Sequence, residues 1–390
     1  MAPAILDVPS WVTEPRYRGD CLATVLLRAV RRLGIVLPDA EADLAGFSED
    51  VLEPATDRPR GIMLILADGL GLANLTERSG HAPFLTSQPS LPLTTGFPST
   101  TVASLASLGT GLSPGQTALA GYSLRDPATG ARANLIQWDT PTPPRVWQPH
   151  ATVFERLDSI GRPAGFVGEA RFANSPMTES SLRGARFHPA DKKAASIAEA
   201  ALTAARSNDG LIYVYWGALD KIGHGAGWSG ASWSRALEEL DEAARVLTAD
   251  LPRGWEIWVT ADHGMIDVTG APVWDVATDP ALSQDVSLVA GEARAAHIYT
   301  EDPEGVASRW RGRLGPAAWV LTRAEAVAAG LFGELDPRVE PYLGDVIAAM
   351  AGRGIVLDSR IPGGAAKMVG HHGSLTAAEM RVPLIRWEAA

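Results

Sequence analysis

Cysteine is almost absent: Cys21 stands alone in 390 residues, so no internal disulfide can form and no thiolate zinc site can be assembled. No apolar run reaches the roughly 18 residues needed to span a bilayer. The first twenty residues lack a basic stretch followed by an apolar one, and they carry Asp7, Glu14 and Asp20. No secretory signal is therefore expected, and the cytoplasm is the expected compartment. Positive charge is in deficit, with 34 Lys and Arg against 45 Asp and Glu and a formal charge of −11. A field of that sign repels nucleic-acid polymers and anionic membranes, so neither is an expected partner. An anionic small molecule would need strong local positive charge, which bound metal can supply. Histidine is scarce as well, with eight in the chain.

What remains is an ordinary globular composition, 46% hydrophobic and 20% charged, on a chain long enough to bury a large core. No internal repeat or low-complexity tract is visible. Gly61–Ala67 and Leu211–Trp216 are continuous apolar runs, and 255–259 resembles them. Short runs apolar on both faces suggest fully buried strands, as in a parallel sheet covered by helices. Helical patterns lie between and after them, at 191–206 and 232–250. The alternation predicts an α/β fold: a doubly wound, mostly parallel central sheet flanked by helices.

Four segments follow from this reading. Residues 1–57 form an N-terminal extension, with a helix near 21–33 stopped by Gly34 and then an acidic loop. Residues 58–270 form the catalytic core. Residues 271–365, where strand-like pieces (296–299, 319–322, Ile355–Leu357) alternate with helices, form a small inserted α+β cap. Residues 366–390 return to the core.

Each buried run is followed closely by an aspartate: Asp68, Asp220 and Asp262. In open α/β sheets ligands bind beyond the carboxyl ends of the strands, where three such carboxylates could converge. Any one of them taken alone could equally be a turn or helix-cap residue. The histidines weigh against that. His224 comes four residues after Asp220, His263 directly after Asp262, and His371 and His372 lie between Gly370 and Gly373. Carboxylate oxygen with imidazole nitrogen is a zinc-type ligand set, and half of the chain's histidines sit in these three short motifs.

The remaining piece is Pro98-Ser99-Thr100-Thr101, running into an apolar stretch that ends at Thr110-Gly111. Hydroxyls there either cap a helix or stand in its first turn, where unpaired N–H groups favour an alkoxide and hold a phosphate. A metal beside such a hydroxyl would activate it further as a nucleophile.

In this order the motifs resemble the alkaline phosphatase superfamily, and most closely its type I phosphodiesterase / nucleotide pyrophosphatase branch. Five separated pieces carry the resemblance: Asp68-Gly69, the 98–101 turn, Asp220 to His224, Asp262-His263-Gly264 and Gly370 to Gly373. It runs from about residue 61 to 270 and resumes at about 367–384. The resemblance implies that Thr101, nine residues before Thr110-Gly111, is the nucleophile. It also implies two divalent ions, zinc or alternatively manganese. Asp68, Asp262, His263 and the Thr101 oxygen would hold one; Asp220, His224 and His372 would hold the other. Two metals about 3.5–4 Å apart clamp the attacking and leaving oxygens of an in-line displacement. Thr101 would form a covalent phosphothreonine that water then hydrolyses, with net retention at phosphorus. The expected partner is a small-molecule phosphate ester.

The chain departs from that branch where a His-Gly and then a phosphoryl-binding Asn are expected. The stretch runs Gly115-Gln116-Thr117-Ala118-Leu119-Ala120-Gly121-Tyr122, with Tyr122 in the Asn position. Oxygen binding would then fall to Tyr122, to a backbone N–H or to another residue. Two alternatives stay open: a phosphomonoesterase or phosphonate hydrolase on the same scaffold, with Lys221 as the extra cation, and a non-catalytic metal-binding member. A sulfatase is excluded, because Cys21 lies outside the core motifs. Several of the twelve tryptophans (Trp138, Trp147, Trp216, Trp228, Trp233) lie near the motifs, available for packing or for stacking on a leaving group.

Overall fold

The structure is a computed structural model that describes residues 7–37, 58–207, 210–361 and 364–389. Among the described residues seventeen strands follow one another: β1 (Gly61–Ala67), β2 (Ser90–Thr94), β3 (Ser123–Arg125), β4 (Arg132–Asn134), β5 (Gly165–Glu169), β6 (Arg186–Ala190), β7 (Leu211–Trp216) and β8 (Trp255–Thr260). Next come β9 (Ile266–Asp267), β10 (Val273–Asp275), β11 (Leu288–Glu292), β12 (Ala295–Tyr299), β13 (Ala318–Thr322) and β14 (Val346–Met350). The last three are β15 (Ile355–Leu357), β16 (Gly370–His371) and β17 (Arg381–Glu388).

Seven strands form the central sheet in the order β2-β17-β8-β1-β7-β5-β6. β1 runs parallel to β7 and β8, and β5 parallel to β6 and β7. β17 lies antiparallel between β2 and β8. Every residue of β1 and β8 is buried, as two-sided coverage by helices requires. Helices Val153–Ser159, Ala194–Ser207 and Ala231–Asp250 contribute to that cover, burying Phe154, Ala201, Leu237 and Leu240 in one core with Ile62 and Val259. The residues expected as helix at 21–33 form a 3-10 turn (Leu22–Thr24) and the helix Val25–Arg32, ended by Gly34 at φ +73°. Their apolar face, including Leu22, Val25, Leu26 and Ala29, is buried in this same core. Of the acidic loop expected next, 38–57 lies outside the described residues.

Between β9 and β16 the chain builds a four-stranded antiparallel sheet, β11-β12-β14-β13. Its side chains alternate between two cores, as the two-residue strand period demands. Ala295, Leu321, Ile347 and Ala349 pack with Val102, Ala106, Leu124 and Trp147. Ala296, Ile298, Val320, Val346 and Ala348 pack with Val306 and Trp310 of the helix Pro303–Leu314. The first face holds the sheet against the helix Thr101–Thr110. Among the described residues no helix is long and apolar enough to cross a membrane.

Candidate metal centre and nucleophile

β8, β1 and β7 are neighbours in register, Leu66 pairing with both Thr260 and Tyr215. Their carboxyl ends therefore finish side by side. Asp68 follows β1 directly, Asp262 lies two residues past β8, and Asp220 sits in the first turn of the helix Ala218–Ala226 after β7. Asp68 N–H donates to Trp216 O at 2.9 Å and Asp220 N–H to Asp68 O at 3.0 Å, which ties the first and third ends together. Asp262 Oδ1 accepts from the N–H groups of Gly69 and His263, both at 3.1 Å. The short antiparallel pair of β9 and β16, with His371 opposite Ile266, then brings the Gly370 to Gly373 turn beside Asp262 and His263.

Three imidazoles enter in the same manner. Nδ1 of His224 donates to Gly370 O at 2.8 Å, that of His263 to Gly264 O at 3.0 Å, and that of His372 to Ser99 O at 2.8 Å. A carbonyl can only accept, so each Nδ1 carries the proton and each Nε2 presents a lone pair. Those lone pairs meet carboxylate oxygens. His224 Nε2 is 3.2 Å from Asp220 Oδ1 and 3.3 Å from His372 Nε2, which is 3.7 Å from Asp220 Oδ1. His263 Nε2 is 3.5 Å from Asp68 Oδ1, 3.5 Å from Asp262 Oδ2 and 3.2 Å from Thr101 Oγ1.

Acceptors do not attract acceptors, so the imidazole–carboxylate contacts call for a bound cation or a shared proton, whereas the Thr101 hydroxyl can donate to His263 Nε2. Asp68 Oδ1, Asp220 Oδ1 and Asp262 Oδ2 are buried without a hydrogen-bond partner, and such orphans are costly unless something binds them. Burial, then the charges of Asp262 and Asp220, pushes the Asp68 carboxyl well above its usual range. Burial raises Asp220 as well, against the pull of His224 and His263. His372 is held well below the usual imidazole value by burial and by His263 and His224. For a tetrahedral ion with ligand bonds of about 2.0–2.1 Å, neighbouring ligand atoms stand about 3.4 Å apart. The separations above cluster at that spacing, so the residues present fit divalent ions. Asp220, His224 and His372 make one group and Asp68, Asp220 and His263 another, each with its ligand atoms within 4.8 Å of one another. Asp220 belongs to both.

Thr101 opens the helix Thr101–Thr110; Thr100 before it is extended (φ −137°, ψ 149°), and no side-chain cap closes the N-terminus. The leading N–H groups of that helix are thus open to an anion beside the cluster. Ser104 Oγ, one turn on, donates to Asp262 O at 2.8 Å, which fixes the helix to the Asp262-His263 turn. Of the other residues considered from sequence, His371 turns its Nε2 to Ala365 O at 3.1 Å, away from the cluster, and burial, with His224 next, lowers it to about 4. Lys221 is exposed. Trp147, Trp216 and Trp233 are buried core residues, while Trp138 and Trp228 are half-buried.

Three features were missed in the sequence. Tyr215 O–H donates to Asp68 Oδ2; its place in an apolar strand gave no sign of this. Glu292, at the end of β11, accepts from Tyr122 N–H through Oε1. Arg294 and Glu379 form a fully buried ion pair at 2.7 Å. The last two depend on how the 271–365 stretch folds back, and a single polar residue in a strand carries no signal of that.

The sequence profile described as Type I phosphodiesterase / nucleotide pyrophosphatase matches residues 62–375. No curated protein matches in a sequence comparison. Among solved structures, murine ectonucleotide pyrophosphatase / phosphodiesterase 5 superposes with a TM-score of 0.66 at 16% identity, over 83% of this chain and 87% of that one. The human protein of the same description gives 0.65 at 17%, over 84% and 87%. Phosphonoacetate hydrolase from Sinorhizobium meliloti 1021, in complex with phosphonoacetate, gives 0.62 at 20%, over 84% and 90%. These likenesses establish the shared α/β fold.

Proposed function

The chain belongs to the type I phosphodiesterase / nucleotide pyrophosphatase family of phosphoric ester hydrolases, and on that premise we propose that it hydrolyses small-molecule phosphodiesters through a phosphothreonine formed on Thr101. The observation that carries the reading is the set of orphaned carboxylate oxygens on Asp68, Asp220 and Asp262, facing three imidazole lone pairs beside a helix-terminal hydroxyl. Asp68, Asp262, His263 and Thr101 would hold one ion; Asp220, His224 and His372 would hold the other. The mixed carboxylate and imidazole donors favour zinc, with manganese the alternative. Bound there, the ions supply Lewis acidity that lowers the pKa of the Thr101 hydroxyl and offsets phosphoryl charge.

The protein's own groups do the rest. Helix N–H groups behind Thr101 favour both its alkoxide and the phosphoryl oxygens. Thr101 Oγ1 attacks phosphorus in line, the Oγ1–P bond forms, and the bond to the leaving oxygen breaks with its electron pair. Water then attacks phosphorus, the P–Oγ1 bond breaks, the phosphate product leaves and a proton from that water returns Thr101 to its hydroxyl form. Tyr215 O–H holds Asp68 by its outer oxygen, so Oδ1 stays aimed inward. We prefer a diester to a monoester or phosphonate because the extra negative charge of those substrates calls for a cation, and Lys221, the sequence's choice, is exposed. The lone cysteine, buried at Cys21, supports a cytoplasmic enzyme without structural disulfides.

The test is the ratio of kcat/KM for bis-p-nitrophenyl phosphate over p-nitrophenyl phosphate on zinc-loaded protein, together with Thr101→Ala. A ratio well above one, and loss of turnover with metal retained in Thr101→Ala, is the expected result. Unchanged turnover in Thr101→Ala would overturn the mechanism, and a ratio well below one would move the substrate to monoesters or phosphonates.

A further inference from the structure

The 98–101 turn carries hydroxyls on Ser99, Thr100 and Thr101, and only that of Thr101 enters the reaction above. Ser99, two residues before the nucleophile, is fully buried. Its hydroxyl is used in both directions. Oγ donates to Ser374 O at 2.7 Å and accepts Gly373 N–H at 3.2 Å. Its backbone reaches the same segment: Ser99 N–H donates to Gly373 O at 3.1 Å, and Ser99 O accepts from Nδ1 of His372 at 2.8 Å. One residue of the nucleophile turn thus binds His372, Gly373 and Ser374 in a row. Gly373 gives both its N–H and its carbonyl to Ser99, in a conformation (φ +131°) that suits glycine.

The position of this clamp matters because of what lies on either side. Through Ser104, the helix that opens at Thr101 is fixed to the Asp262 carbonyl at 2.8 Å. Through Ser99, the residues entering that helix are fixed to the His372 turn. His263 and His372 belong to different ligand groups. Thr101 Oγ1 lies 3.2 Å from His263 Nε2, and His372 Nε2 lies 3.3 Å from His224 Nε2. The nucleophile is therefore tied to each half of the cluster by a separate serine. The Ser99 bonds need a hydroxyl, since a single atom that donates and accepts at once is required. Alanine would take that partner from a buried N–H and a buried carbonyl.

We infer that Ser99 is a positioning residue of the phosphoryl transfer: its hydroxyl locks the Thr101 turn to the His372 turn. The lock holds the attacking oxygen in line with a phosphorus that sits between the two ligand groups. The inference rests on the Thr101 reading above. Ser99 acts through His372, whose Nδ1 proton its carbonyl accepts, and through Thr101, whose helix it enters. A clamp of this kind serves alignment more than ground-state binding, so its loss falls on the transition state.

The experiment compares zinc-loaded wild type with Ser99→Ala, Ser99→Thr and Thr101→Ala, well below their melting temperatures. It reads kcat and KM for bis-p-nitrophenyl phosphate, inhibition by orthovanadate and by inorganic phosphate, and the visible spectrum of cobalt-substituted protein. Ser99→Ala should lose kcat by on the order of 10–100-fold while KM stays within about threefold. Orthovanadate should weaken in parallel with kcat, inorganic phosphate should inhibit as in wild type, and the cobalt spectrum should shift. Ser99→Thr keeps the hydroxyl and should return kcat to within about fivefold of wild type. A Ser99→Ala protein that melts earlier, yet keeps wild-type kcat and cobalt spectrum, overturns the inference. So does a folded Ser99→Thr with both ions that is as slow as Ser99→Ala. Should alanine fail to fold, Ser99→Cys takes its place, because a thiol fills the site but bonds weakly. Wild-type kcat and orthovanadate inhibition in Ser99→Cys then overturn the inference. Thr101→Ala separates the two levels: if it is inactive while Ser99→Ala is unimpaired, only this inference fails; if it still turns over, the underlying reading fails.

Discussion

The imidazoles of His263 and His372 are stacked, with ring centroids 3.5 Å apart and planes within 11° of parallel. Two imidazolium cations would repel each other at that distance, so the stack belongs to neutral rings, and burial with His263 nearby holds His372 well below its usual pKa. The two histidines come from different ligand groups, which Asp220 joins. The centre is therefore one connected cluster in which stacking and a shared carboxylate link both halves.

That sharing sets a difference between ligand substitutions. Asp220→Asn should strip the ion held with His224 and His372 and weaken the other as well, because its Oδ1 faces His224 and His372 and its ligand atoms stand with Asp68 and His263 too. His224→Ala should leave the Asp68, Asp262 and His263 half intact and retain about one ion per chain, because it removes one of the three donors of the other group. Metal analysis after dialysis reads this directly. Equal metal content in the two variants would contradict the shared role of Asp220.

The buried carboxylates make the metal-free protein unstable in a pH-dependent way. Asp68 has a folded pKa well above the unfolded carboxylate value, raised by burial and by Asp262 and Asp220. Its contribution to stability is full below about pH 4 and is lost as pH rises through the folded value. In chelated protein, Asp68→Asn should therefore be more stable than wild type, by on the order of 1 kcal/mol or more at pH 8, with the gap closing toward pH 4. Denaturant melts of both chelated proteins across that range check the sign. The same variant should lose metal binding.

Much of this was legible in the sequence for identifiable reasons. β1, β7 and β8 were found because a strand buried on both faces must be apolar throughout, and the motif residues because polar ligands at the ends of such strands are conspicuous. Thr101 was set apart from Thr100 only by the family resemblance, which expects the nucleophile nine residues before a Thr-Gly pair. β2, β5 and β17 went unnamed: β2 and β17 carry Pro92 and Pro383, and β5 holds two glycines, so their apolar pattern is broken. Glu292 was invisible because its bond to Tyr122 N–H depends on a sheet formed 170 residues later in the chain folding back onto it. Tyr215 was hidden in plain apolar context, since only register with β1 places its hydroxyl on Asp68.

The ion pair between Arg294 and Glu379 offers the sharpest test of how the four-stranded sheet serves the metal centre. Both side chains are fully buried. Arg294 Nε and Nη2 reach the two Glu379 oxygens at 3.1 and 2.7 Å, while its other donors take the carbonyls of Met350 and Gly354 at 3.1 and 2.6 Å. Glu379 Oε1 also accepts Ser374 N–H at 3.0 Å, and its backbone carbonyl accepts Gly264 N–H at 2.8 Å. One residue thus touches the turn after His372 and the turn after His263. Glu379→Gln keeps the shape but leaves the guanidinium buried without its counter-charge, at a cost of roughly 3–5 kcal/mol. A purely structural brace would lower stability and leave the surviving folded protein with normal metal affinity. A brace that also sets the His372 turn should in addition shift the visible spectrum of cobalt-substituted protein and weaken one of the two ions, at temperatures well below the melt. A normal cobalt spectrum and full metal content in folded Glu379→Gln would reduce the pair to stability alone.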